Sequence, residues 1–207
     1  FNSVNIGSQY WLQTDLDVTT YRDGTPIPEV TDPTTWQNLT TGAYCHYNND
    51  PTYPKLYNWY AVMGIHDNNP ATSNKDICPA GWHIPDTTEW FHLINTLQSM
   101  GLAWNGDLTN EVSQNNIASS LASQSGWASY WQVGSPGNIT FPNNSSNFNS
   151  IAVGFRRFDG VFLNSGETNC YWSISEDPQF SSGAMRFMIS HSFKDILVSS
   201  SSKVRGS

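Results

Sequence analysis

Cysteine is scarce. Three occur in 207 residues, Cys45, Cys78 and Cys170, and none belongs to a Cys-x-x-Cys. A zinc ribbon or thioredoxin-type redox pair therefore lacks its ligands, and an odd count leaves one thiol free or paired outside the chain. Positive charge is equally thin. Four Lys and five Arg stand against seventeen acidic residues, a formal net charge of −8, so a phosphate backbone would be repelled and nucleic acid is an unsuitable partner. No run approaches the roughly 18 consecutive apolar residues of a membrane-spanning helix. The five histidines (His46, His66, His83, His92, His191) include no pair at i, i+4 and no His-Glu-x-x-His, which removes a zinc protease. No Gly-x-Ser-x-Gly elbow, Gly-x-Gly-x-x-Gly or phosphate-binding Gly-x-x-x-x-Gly-Lys loop occurs, so neither a serine hydrolase nor a nucleotide cradle is indicated. The expectation is a protein that is not an enzyme and needs no cofactor.

What the chain does have is aromatic and polar. Nine Trp, nine Tyr and ten Phe accompany 64 Ser, Thr and Asn, while charged residues make up only 13%. Disordered chains lack aromatics and are rich in charge, so a folded core is expected. Low Lys, abundant Asn/Ser/Thr and a start at Phe1 without a leader fit a processed, secreted or cell-surface protein.

Strand and turn signals dominate residues 1–62, opening with Val4–Gly7 and Tyr10–Leu12 and including turn chemistry at Asp23-Gly24-Thr25-Pro26. Residues 65–77 offer almost nothing to a core and read as a surface loop. The clearest helix is 86–100. Asp86 and Glu89 form a capping box, Trp90, Leu93, Ile94 and Leu97 make an apolar stripe, and Gly101 ends it. A second helix is expected from about Asn115 to Ser125, with Ile117 and Leu121 inward and serines outward. Residues 132–150 read as a long coil, of the kind that is usually functional. Short strands follow at 151–155, 161–163, 171–174, 184–189 and 196–198. With no repeat and no linker, the economical reading is one α+β domain over 1–207.

Several segments resemble one bacterial family, the Fibrobacter succinogenes major paralogous domain. They are Ile6-Gly7-Ser8-Gln9-Tyr10-Trp11, Tyr21-Arg22-Asp23-Gly24-Thr25-Pro26-Ile27-Pro28, Thr40-Thr41-Gly42-Ala43-Tyr44-Cys45, Leu56-Tyr57-Asn58-Trp59-Tyr60-Ala61-Val62, Cys78-Pro79-Ala80-Gly81-Trp82-His83-Ile84-Pro85 and Tyr171-Trp172-Ser173. Through the segment Trp82–Trp90 this family is similar to formylglycine-generating-type domains and to the C-type-lectin-like fold. The resemblance implies two helices beside small twisted antiparallel sheets, with long loops on one side. It also implies a final strand reading roughly Val-Arg-Cys-Val, which would begin where this sequence reaches Lys203-Val204-Arg205-Gly206-Ser207. By that analogy Cys78 has its disulfide partner outside the chain, and Cys45 and Cys170 remain as candidates for a disulfide. A strand from a neighbouring subunit could complete such a sheet. Formylglycine-type oxidation needs reactive cysteines late in the chain, and Cys170 stands there alone.

Candidate contact residues come from the loops. Trp11, Trp59, Trp82, Trp90 and Trp172 lie in packed-looking motifs and are assigned to the core, and His83 to a core or turn position. Trp36, Trp104, Trp127 and Trp131 lie in polar surroundings. Aromatics beside Asn and Asp suit stacking on a sugar ring, and equally suit packing a loop onto its own domain. The ligand-binding candidates are Tyr130, Trp131, Trp104, Asn143 and Asn144. Asp67, Asn68 and Asp76 could supply oxygens to Ca²⁺, without EF-hand spacing. The expected function is adhesion or ligand binding to a glycan or surface protein through the 128–150 and 65–76 loops. The alternative is a structural subunit of an extracellular filament, built from copies of itself.

Overall fold

A computed structural model describes residues 2–108 and 111–207. The chain opens with an antiparallel hairpin, β1 (Ser3–Ile6) and β2 (Gln9–Leu12), in register Ser3↔Leu12 to Ile6↔Gln9. Gly7 turns it with φ +62°, and a Cβ there would lie 2.7 Å from Thr96 Cγ2. Glycine is thus required twice over, by backbone and by space.

Asp32 caps a one-turn helix, α1 (Pro33–Gln37), accepting from the Thr35 amide, with Pro33 at its first position. Strands β3 (Tyr44–His46) and β4 (Lys55–Tyr57) then pair antiparallel. Asn58 follows as cap of α2 (Trp59–Val62), and its buried amide also binds Ala43 N–H and Thr41 C=O.

The long helix α3 (Thr87–Ser99) forms as its sequence dictates. Asp86 accepts from Glu89 N–H at 2.8 Å, and the Glu89 carboxylate returns to Asp86 N–H at 2.9 Å. Trp90, Leu93, Ile94 and Leu97 are all buried. Replacing Asp86 by Ala should cost about 1 kcal/mol in urea unfolding, as loss of a helix cap does. A change within error would show the box to be redundant.

The expected second helix is shorter than its pattern suggests. Only α4 (Ala118–Leu121) is helical. Asn116 has φ +55° and Ala122 is extended, so neither end can propagate. Ile117 and Leu121 face inward as predicted, but Ser119 and Ser120 are also buried, so the expected serine surface does not exist. The Asn115 amide is buried here, accepting from Ile196 N–H and donating to Ile196 C=O, which ties α4 to the far end of the chain.

A small pair, β5 (Phe155–Arg156) and β6 (Phe162–Leu163), precedes the main sheet of β7 (Thr168–Glu176), β8 (Gly183–Ser190) and β9 (Leu197–Ser202), antiparallel in the order β7-β8-β9. Thus the described residues hold few helices and several small antiparallel sheets. The main core lies between α3, α4 and β8, joining Ile6, Trp90, Leu93, Leu97, Ile117, Leu121, Phe187 and Ile189. A smaller core of Trp36, Ala43, Cys45, Leu56 and Val153 lies under β3 and β4. Trp36, placed in a polar loop by its neighbours in sequence, is fully buried, with the Arg156 guanidinium over its ring.

The last residues sit in short ladders. Gly206 exchanges two hydrogen bonds with Arg156, and Ser207 exchanges two with Tyr57.

Candidate functional site

The loop after α4 carries no helix or strand between 123 and 154, yet it is tightly held. Tyr130 N–H donates to Gly137 C=O, and Gly137 N–H to His191 C=O. The buried Asn138 amide donates to Trp131 C=O at 3.1 Å. On this base the Tyr130 and Trp131 rings stack at 5.5 Å, and Tyr130 meets the His191 ring edge-on at 5.2 Å. Trp131 is 75% exposed and Tyr130 half-buried. A flat aromatic face is thus presented to solvent on a backbone anchored at Tyr130, Gly137 and Asn138.

The other loop candidates sit elsewhere. Trp104 is half-buried. Its Nε1–H donates to Asn116 Oδ1 at 3.1 Å, and a Cβ on Gly134 would lie 2.2 Å from its ring. It supports the loop from beneath. The Asn143 amide donates to Ser123 C=O and Pro136 C=O, closing the loop across its base. Asn144 has φ +69° and exchanges bonds with Asn149. The Asn143 NH2 and the Asn144 amide are therefore spent on loop geometry, and Asn144 holds a positive φ that short polar side chains tolerate. Trp127, also read as a loop aromatic, packs against the main core and donates to Ser123 Oγ.

In the 65–76 loop the three oxygen candidates are engaged separately. Asp76 pairs with Arg22 at 2.7 Å, Asn68 accepts from Thr40 Oγ1, and Asp67 accepts from Asn69 N–H. Among the described residues no three His, Cys, Asp or Glu side chains converge. The candidate disulfide residues Cys45 and Cys170 are not bonded to each other. All three cysteines are free and buried. Burial pushes the Cys45 and Cys78 thiols up to about 12 and also raises Cys170, against which Arg186 Nη1 donates at 3.3 Å. A desolvated thiol gives little thiolate, so none of these is poised as a nucleophile. His83 is on the surface, bonded to Glu89 at 2.7 Å.

A second feature emerges from residues assigned to the core. Trp11, Trp82, Trp90, Tyr171 and Trp172 line a cleft of about 660 Å³, with Tyr57, Lys55 and Ser207 at one side. Trp11 and Trp82 are only half-buried, because one face of each ring looks into this space. Asp15 stands in its wall. The residue is half-buried overall, but its Oδ2 is sealed from solvent and has no hydrogen-bond partner. Desolvation raises its carboxyl to about 6, and the Asn169 amide beside it offsets only part of that. No local signal marks Asp15. The walls come from stretches far apart in the chain, near residues 11, 57, 82, 148, 171 and 207.

The sign of this shift is testable. The folded protein holds the Asp15 proton more tightly than the unfolded chain, whose carboxyl titrates near 3.8. Stability from this group is therefore greatest below pH 4 and is lost as pH rises through 6. Asp15→Asn should gain about 1–2 kcal/mol over the parent at pH 7.5 and nothing at pH 3.5, by urea unfolding at both values. An equal effect at both would dismiss the buried carboxylate as the cause.

Residues 4–205 match the sequence model of the Fibrobacter succinogenes major domain. No curated protein and no solved structure matches the chain.

Proposed function

This chain belongs to the Fibrobacter succinogenes major domain family, and on that footing we propose that it is a secreted or cell-surface binding module, without catalytic activity, built on a C-type-lectin-like frame. Its ligand is a glycan, held against the Tyr130–Trp131 face. One observation carries the reading: a tryptophan three-quarters exposed, stacked on a second ring and fixed from behind by Asn138. Leaving so much apolar ring in water is costly unless something covers it. A sugar has the matching chemistry, with C–H groups for the ring face and hydroxyls at the rim. The rigid loop supplies preorganisation, so little ordering cost falls on binding.

Glycan-array binding of the fluorescently labelled protein tests this. Trp131→Ala should weaken any bound glycan at least tenfold, Trp131→Tyr much less. Binding indifferent to both substitutions would remove the site.

A second reading, self-association into a filament, is favoured by Ile139 and Val133. These lie in the same loop and are 94% and 43% exposed. Large apolar side chains left in water on one loop favour protein contacts. If it holds, electron microscopy of concentrated protein shows oligomers that Ile139→Ser abolishes. Monomers under all conditions would discard it.

A further inference from the structure

Two arginines beside the main sheet have no acid to answer them. Acidic residues outnumber basic ones, seventeen to nine, so a cation in this chain has many partners within the sequence. Arg22, Lys55, Lys75, Arg157 and Lys203 each take a carboxylate, and the buried Arg156 is met by three carbonyls. Among the described residues no carboxylate lies within ion-pair distance of Arg186 or Arg205.

Arg186 is buried in β8 opposite Ser199 of β9, and its Nε donates to the Ser199 hydroxyl at 3.2 Å. Its Nη1 donates to the Cys170 sulfur, and burial keeps that thiol protonated, so no counter-charge comes from it. Past the end of β9 the chain turns, with Arg205 N–H bonding Ser202 C=O, and Arg205 Nη1 reaches back to the Ser201 hydroxyl at 3.0 Å. Ser199 and Ser201 stand two positions apart on one strand, so they share a face at about 7 Å from each other. The Phe155 ring adjoins both guanidiniums, its centroid 4.0 Å from that of Arg205 and 5.7 Å from that of Arg186. The two charges are thus held as neighbours. Burial first, and then Arg186 and Arg157, push Arg205 down to about 10. The Asp159 carboxylate acts on Arg205 from a distance, but it is bonded to Arg157 at 2.7 Å.

The groups left over are all donors. Arg186 Nη2 and Arg205 Nε and Nη2 have no acceptor in the protein, and none of the three is sealed from water. The two serine hydroxyls accept from the guanidiniums, and each keeps its own proton to give. Like charges brought together and partly desolvated are costly, and an anion between them offsets that cost. A guanidinium presents paired N–H groups that match the oxygens of an oxyanion. The net charge of −8 repels a polyanion, which narrows the fit to one such group. Donors converging from two guanidiniums and two hydroxyls suit a tetrahedral group better than the two oxygens of a carboxylate.

We propose that Arg186 and Arg205, with the Ser199 and Ser201 hydroxyls, form a binding site for a single sulfate or phosphate group, free or carried as an ester. This site is separate from the Trp131 face and stands or falls without it.

The test is isothermal titration calorimetry of the 207-residue chain with inorganic phosphate and with methyl phosphate, in chloride buffer of constant ionic strength. Inorganic phosphate should bind at least tenfold more tightly than acetate. Binding of both phosphates assigns the site to an ester-borne group, and binding of the inorganic ion alone assigns it to the free ion. Arg205→Gln, with folding checked by circular dichroism, should lose at least tenfold in affinity. Lys194→Gln removes the same charge from the segment before β9 and should bind as the parent does. Ser201→Ala, which leaves every charge in place, should weaken binding several-fold and reads the same contact if Arg205→Gln does not fold. No phosphate binding to the parent, acetate binding as tightly as phosphate, or equal losses in Arg205→Gln and Lys194→Gln would overturn the proposal. So would unchanged affinity in Ser201→Ala and Arg205→Gln together.

Discussion

Arg156→Met should destabilise the protein by about 3–5 kcal/mol, the loss seen when one partner of a buried charged network is removed. Arg156 lies in β5 and is fully buried. Its guanidinium donates to Val30 C=O at 2.6 Å, Thr31 C=O at 2.8 Å and Gly160 C=O at 3.2 Å. Its flat faces lie 4.4 Å from the Trp36 ring centroid and 4.9 Å from that of Phe162. The charge is thus met by carbonyl oxygens and aromatic faces. Methionine keeps much of the volume and strands three carbonyls without donors. Lysine should also fail, by about 2 kcal/mol, because a single ammonium cannot fork across three acceptors or stack between two rings. Urea unfolding followed by circular dichroism reads both. A cost below 1 kcal/mol for Arg156→Met would mean that water replaces the guanidinium, and that β5 is not fastened to the 30–31 segment in this way.

Trp90→Ala is the second large expectation, at about 3–5 kcal/mol. Trp90 stacks on Phe187 with ring centroids 4.8 Å apart and a 15° interplanar angle. Its centroid is 4.9 Å from Trp11 and 5.4 Å from Tyr171. It therefore joins α3, the opening hairpin, β7 and β8 through one side chain. Its buried indole N–H has no partner, so Trp90→Phe forfeits no hydrogen bond and should cost less than half as much. Near-ultraviolet circular dichroism should show the aromatic signal collapse in the Ala variant and persist in the Phe variant. Equal stability of all three proteins would place the packing of the core elsewhere.

The parts of this fold that were legible in the sequence are those written in local signals. The α3 capping box and stripe both lie within 86–97, and the structure reproduces them residue for residue. The β1–β2 hairpin was legible for the same reason, with Gly7 between two apolar runs. Trp36 shows the limit. Asp32 followed by Pro33 is a helix-start signal, but the burial of Trp36 depends on Arg156, 120 residues onward, which no local pattern announces. The serine-rich 115–125 segment misled differently. Ser120 there donates to Leu102 C=O and need not face water. Of the candidate contacts, Tyr130 and Trp131 could be named from composition. The cleft could not, since its walls meet only after residues near 11, 57, 82 and 171 are folded together.

The three sealed thiols have a practical side. Because each sits in the interior and is held in its protonated form, a maleimide reagent at neutral pH finds almost no native target. A single cysteine introduced on the outer surface would then be the one reactive handle. A dye or spin label could be attached beside the stacked rings, or at the rim of the cleft, without first stripping the protein of its own sulfur.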